Sequence, residues 1–331
     1  MLPAGSSTSN ASATVGSRRT TSSHRLVRVS ASTPSPGPHG TYGGQAVVEG
    51  VMMRGATAMA VAVRRPDGSI ATRAEPLAGV FSGPLRHVPL LRGVLVLLET
   101  LALGMRSLTW SAAIAAGQVD ARGETRPLSL LDWTMLLGAF ACGVGAFFVG
   151  PVLATAWLDR VLPAPWMPLA IEGVLRLALL VGYIWGMGRA GDIRRVFQYH
   201  GAEHMAIYAH EDGRELNVPA VRRYPKEHPR CGTSFLLTVA LVSMVVFAFA
   251  GSDPLWWRLS SRIVLIPVVA ALSYEAIRFA GFHQRWPVVR WLFAGNLALQ
   301  YLTTRVPDDE QIQVAIAALQ RVRDAERDAS T

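Results

Sequence analysis

Residues 199 to 206 read Tyr199-His200-Gly201-Ala202-Glu203-His204-Met205-Ala206, which sets two imidazoles and a carboxylate within five positions. On a helix, residues four apart share a face, so His200 and His204 can chelate one ion while Glu203 points close by. The order His-x-x-Glu-His is the inverted zincin motif, in which the glutamate serves as general base toward a metal-activated water. So short a motif recurs by chance, and two solvated histidines on a helix are the plain alternative. The next segment weighs against it. His228-Pro229-Arg230-Cys231-Gly232-Thr233-Ser234 supplies another imidazole and a thiol three residues apart. Four of the best soft or borderline ligands of a chain with 2 cysteines and 8 histidines thus fall between positions 200 and 231. Mixed imidazole and thiolate ligation favours zinc among the divalent transition metals and leaves iron or another ion open.

Cys231 also admits a reading as a nucleophile, with Arg230 and the following helix N-terminus lowering its pKa and His228 as base. An ordinary thiol at a helix start is the third reading. Glu275 sits near the end of an apolar segment, beside Tyr274 and three residues before Arg278, where an ionisable group is a functional candidate. It is a further possible metal ligand, or an acceptor for a histidine N–H, and pairing with Arg278 is the competing account.

The segments that must position these groups are mostly apolar. Four of them, at about 131–157, 168–188, 234–251 and 262–280, approach the roughly 20 residues a helix needs to cross a bilayer core. Backbone polar groups in lipid must pair internally, which predicts helices. The connection from Arg189 to Thr233 is rich in arginine, whereas those around 158–167 and 252–261 carry only Arg160 and Arg258. The positive-inside rule then places both termini and the 189–233 connection in the cytoplasm. Within the second segment, Glu172 and Arg176 would each cost about 2.5–3.5 kcal/mol at the bilayer centre, against about −0.3 to −0.6 for each Leu, Ile or Val. An i,i+4 pair sheltered in a bundle lowers that cost.

Around this bundle the chain divides further. Residues 1–40, rich in Ser, Thr, Ala, Pro and Gly and free of acidic residues, predict disorder, with an organellar transit peptide as an alternative. Residues 41–80 alternate like strands, and Pro66-Asp67-Gly68-Ser69 reads as a hairpin turn, so a small β element is expected. The segment 81–130 carries an apolar helix broken by Arg92, Glu99 and Arg106, which suits an interfacial helix and a loop. After the last span, 281–331 forms a C-terminal region whose helix opens on Asp308, Asp309 and Glu310 and bears the stripe Ile312, Ala315, Ile316, Leu319 and Val322.

Composition agrees with a membrane assignment: 331 residues, 50% hydrophobic and only 17% charged, with positive mean hydropathy. The formal charge of +9 raises nucleic acid as a partner, but the arginines flank apolar blocks and form no aromatic and basic stripe. The bilayer is the partner this pattern implies. Two cysteines make no disulfide framework, and Cys142 lies within an apolar block.

Three blocks together carry a resemblance. Gly43-Gly44-Gln45-Ala46-Val47-Val48-Glu49-Gly50-Val51-Met52-Met53-Arg54-Gly55, Tyr199-His200-Gly201-Ala202-Glu203-His204, and His228-Pro229-Arg230-Cys231-Gly232-Thr233-Ser234-Phe235 resemble the YqhQ-like family of bacterial membrane proteins. The likeness extends over about 41–325, including Leu302-Thr303-Thr304-Arg305 and Pro307-Asp308-Asp309-Glu310-Gln311, and departs at Met205, where relatives are expected to carry lysine. It implies a multi-span membrane protein and a metal-dependent enzyme, without a substrate.

The expectation is therefore a mainly α polytopic membrane protein with four transmembrane helices, paired as 131–188 and 234–280. A small β element precedes them, and a cytoplasmic segment at 189–233 carries the metal site. It resides in the plasma membrane, or alternatively an organellar inner membrane. Glu203 is the general base; the ligands are His200 and His204 with a third from His228, Cys231 or Glu275. Two rivals stand beside the hydrolase: a scaffold with a closed structural site, and a transporter lined by Glu172, Arg176 and Glu275. An absence of internal repeats weakens the transporter.

Overall fold

Side chains that alternate along residues 43 to 76 build a four-stranded antiparallel sheet in the computed structural model, in the order β1 (Gly43–Val47), β2 (Gly50–Arg54), β3 (Ala58–Arg64), β4 (Ile70–Pro76). The structure describes residues 42–77, 88–118, 129–164, 166–228, 231–283 and 286–329. The tail expected at 1–40 lies outside the described residues. Pro66 to Ser69 form the β3–β4 turn, where Gly68 takes a positive φ of 84° and Asp67 Oδ1 accepts the Ser69 N–H at 2.9 Å.

Ten helices follow among the described residues. They are α1 (Leu91–Ala115), α2 (Leu130–Arg160, with a π turn at Gly145–Val149), α3 (Trp166–Met187), α4 (Gly191–Glu211) and the short α5 (Val218–Val221). Then come α6 (Ser234–Ala250), α7 (Leu255–Val264), α8 (Ile266–Phe282), α9 (Pro287–Thr303) and α10 (Asp309–Asp328).

The sheet is covered on both faces, because β3 is apolar at every position except its last. Ala58, Ala60 and Ala62, with Val51 and Met53, face α4 and α10, and small side chains let those helices approach closely. Met59, Val61 and Val63 face the other way, onto Trp110 and Ile114 of α1. The stripe foreseen on the C-terminal helix docks here, with Ile312, Ala315, Leu319 and Val322 fully buried. Asp308 and Gln311 close a capping box at its start.

The apolar helices form a second body of structure. By length and composition, α2 and α3 can each cross a membrane, and α7 with α8, bent by 50° at their junction, adds a third span if the pair counts as one. The third expected span, α6, has only 17 residues, and the fourth, at 262–280, falls on the broken α7–α8 pair, so four separate spans overstates what the helices support. The break in that pair lies at Leu265, just after Arg258 and Arg262, which are both buried. Glu172 bonds Arg176 at 2.8 Å as its i,i+4 partner, but it also accepts from Arg258 at 2.9 Å and Arg262 at 3.1 Å. Arg258 reaches Asp159 at 2.6 Å, so three buried guanidiniums share two carboxylates. The helix α9 falls within a stretch expected only as part of a C-terminal region, and it proves central to the site.

Candidate metal centre

The 3.6-residue period of α4 places His200 and His204 side by side, with ring centroids 4.4 Å apart. Both are buried, and each gives its Nδ1 hydrogen to a backbone carbonyl: His200 to Thr303 O at 2.8 Å, His204 to Lys226 O at 2.5 Å. A carbonyl oxygen only accepts, so the hydrogen of each ring must sit on Nδ1 and the lone pair on Nε2. This is the arrangement that orients ligating histidines in metal sites. His200 Nε2 lies 3.1 Å from Cys231 Sγ. His204 Nε2 is buried and has no hydrogen-bond partner among the described residues. The ligand atoms of His200, His204 and Cys231 all lie within 4.8 Å of one another. Burial lowers the pKa of both imidazoles, that of His204 further because His200 adjoins it, so both are neutral as metal ligation requires.

Two close approaches make this possible. The backbone at Thr303 to Arg305 crosses α4 directly over Gly201, where a β-carbon would stand 2.3 Å from Arg305 O. Arg305 N bonds Phe197 O at 2.8 Å, which fixes that crossing. Gln300 of α9 is fully buried and grips the backbone of His228 twice, accepting its N–H at 2.8 Å and donating to its carbonyl at 2.9 Å. Gln300, near the end of α9, thereby holds His228 beside α4, while Lys226 O accepts from His204 of that helix.

Glu203 reaches β1 at Gly44 and is also buried. Its carboxyl meets Gly44, where a β-carbon would lie 2.8 Å from the carboxyl carbon. Burial pushes its pKa up to about 8, opposed by a hydrogen bond from the Gly44 backbone. A cavity of about 220 Å³ opens beside the centre, and Glu203, His204, His228 and Cys231 all line it. The arrangement thus joins a ligand set, a space for a reacting group and a carboxyl able to carry a proton.

Of the remaining candidates, His228 adjoins the three-residue cluster and Glu275 lies apart from it. The His228 ring is 5.6 Å from that of His204 and 4.4 Å from that of Tyr208, with Nε2 3.6 Å from Glu211 Oε2. Burial lowers its pKa to about 4. Glu275 lies elsewhere, bound to Arg92 Nε at 2.6 Å and facing the Leu90 N–H. Its hydrogen-bonding partner is Arg92 of α1, with the neighbouring Arg278 that the sequence suggested acting on it electrostatically. Sequence reasoning missed Gln300, Gly44 and the carbonyls of Thr303 and Lys226. The glycine pair that opens β1 and the Leu302-Thr303-Thr304-Arg305 stretch were the available signals.

The model of the family described as "Protein of unknown function (DUF1385)" matches residues 88–325. The "Uncharacterized protein YqhQ" of Bacillus subtilis (strain 168) is 35% identical over 295 residues, covering 83% of this chain and 90% of that protein. No solved structure matches the chain. A family model spanning well over half of the sequence places the protein in the DUF1385 family, and its extensive likeness to YqhQ makes it a YqhQ-like member of that family.

Proposed function

We propose that the protein is a membrane-embedded, metal-dependent hydrolase in which His200, His204 and Cys231 hold zinc and Glu203 moves the proton. The observation that carries this reading is the pair of Nδ1–H bonds to carbonyls, which leaves two neutral Nε2 lone pairs converging with a thiol. A zinc ion on such a set supplies Lewis acidity for attack of water on a carbonyl or phosphoryl group. Three protein ligands beside a cavity suit a catalytic site, whereas a structural site needs a fourth ligand and a closed shell. Glu203 holds its proton at the carboxyl in the metal-free site; a cation nearby favours the carboxylate, the form in which it accepts a proton from water. Its bond to the Gly44 backbone orients the group.

In the same reading α2, α3, α6 and the α7–α8 pair lie in the plasma membrane, with both termini and the 189–233 segment cytoplasmic. The short α6 crosses by leaning on its neighbours, and α1 rests in the interface. The inward arginines of α7 have their acceptors in Glu172 and Asp159, which supports a packing role for that cluster over a transport path.

The test is Glu203→Gln. It keeps metal and fold but abolishes function in complementation of a host lacking its own homologue, whereas His204→Ala loses metal. Full complementation by Glu203→Gln would remove catalysis and leave the scaffold reading. For topology, a reporter fused at Glu215 is active in the cytoplasm and one at Pro163 outside; the reverse would overturn the orientation.

A further inference from the structure

The cavity beside His204 and Cys231 is lined by one guanidinium among the described residues, that of Arg54 at the end of β2. Arg54 Nη2 lies 2.9 Å from Glu99 Oε1 of α1. The partners are placed unequally. Arg54 reaches the cavity, while Glu99 is not among its lining residues and its side chain is only 5% exposed. An incoming ligand therefore meets the cation first and the balancing carboxylate behind it. The Gln45 side chain and Thr100 stand on the same wall. Gln45 is seated against Gly104, where a β-carbon would come within 2.8 Å of its Oε1. The Arg54 guanidinium, Gln45 amide and Thr100 hydroxyl line one cavity with His204 and Cys231, which would hold a dication, and with the Glu203 carboxyl; donors beside a cation would suit an oxyanion. The volume, about 220 Å³, is below the roughly 300–1,000 Å³ of pockets that enclose whole small molecules, so it fits a head group.

We propose that Arg54 anchors an anionic group of the substrate, a phosphate or a carboxylate, while the bond to be cleaved lies at the His200, His204 and Cys231 centre. The proposal rests on the metal-site reading above. The anion can belong to a soluble ester or to a lipid head group. The lipid source has a route along α1, which lines the cavity with the half-buried Leu103 and the exposed Thr100 and leaves Leu98, Leu101, Met105 and Leu108 exposed on its other face.

The experiment uses the full chain in detergent with cobalt in the site, titrated with inorganic phosphate and, separately, with dihexanoyl phosphatidate. Phosphate is expected to perturb the visible cobalt bands. Arg54→Gln should weaken its affinity at least tenfold with cobalt stoichiometry and the thiolate-to-cobalt band unchanged, and Arg54→Lys should retain most of it. Glu99→Gln, which removes the counter-charge, should tighten phosphate several-fold. Equal phosphate affinity in Arg54→Gln and wild type would overturn the proposal. So would weakening by Glu99→Gln to the level of Arg54→Gln, since the pair would then only brace the wall. Phosphatidate binding at least tenfold tighter than phosphate supports the anion site and assigns a lipid source; similar affinities, both dependent on Arg54, support it with a soluble ester. A wild-type protein with no thiolate-to-cobalt band sinks the metal reading, and this proposal with it.

Discussion

Gly44 of β1 and Glu203 of α4 stand so close that a β-carbon on residue 44 would lie 2.8 Å from the Glu203 carboxyl carbon and 2.6 Å from Met52 O. Gly44→Ala should therefore destabilise the protein by about 1–3 kcal/mol through overpacking and displace the carboxyl from the cavity. Gly43→Ala, with nothing within 4 Å of its added carbon, is the matched control and should shift thermal unfolding little. Equal unfolding temperatures for the two variants would contradict the contact.

Metal content should follow the geometry and not the count of candidate ligands. His200→Ala, His204→Ala and Cys231→Ala should each lower bound metal sharply in elemental analysis, and a chelator should lower the melting temperature of wild type but not of these variants. Glu275→Gln should leave metal content at the wild-type level, because its carboxylate serves Arg92. Loss of metal in Glu275→Gln would place that residue back among the ligands.

Glu172 is the hub of the buried charge cluster, and removing it strands Arg176 and Arg262 around an uncharged group and leaves Arg258 with the Asp159 carboxylate. Glu172→Gln should cost about 3–5 kcal/mol, the penalty for leaving buried charge uncompensated. Thermal aggregation in detergent should begin at a clearly lower temperature. A variant as stable as wild type would mean that water reaches the cluster.

Acid stability should depend on Glu49. Hydrogen bonding from Arg195, then from Tyr199, holds its carboxyl below the usual 4.5 despite partial burial, so the folded state binds a proton less readily than the unfolded chain. Its stabilisation is complete above about 4.5 and disappears as pH falls through the lowered native value. Arg195 is about half exposed, so solvent screening keeps the contribution near 0.5–1 kcal/mol. Glu49→Gln should be less stable than wild type at pH 7 by that amount and show a flatter acid limb in unfolding between pH 5 and 3. An unchanged limb would assign acid sensitivity to other carboxyls.

What could be read from the sequence was local in origin. His200 and His204 face one way because 100° per residue brings i and i+4 together, whatever packs around them. The turn at Pro66 to Ser69, the opening of α10 at Asp308 and the Glu172–Arg176 pair likewise depend on neighbours within four residues. Only tertiary structure decided which distant group joined each of these. Cys231 meets His200 across 31 positions, and Arg92 meets Glu275 across 183, because helices pack by shape as well as by charge. The ring tautomers were equally beyond sequence, since they depend on two carbonyls, and every residue carries a carbonyl. The backbone crossing at Gly201 and the grip of Gln300 bring those particular oxygens, of Thr303 and Lys226, to the two Nδ1 atoms, and that leaves both Nε2 lone pairs facing Cys231.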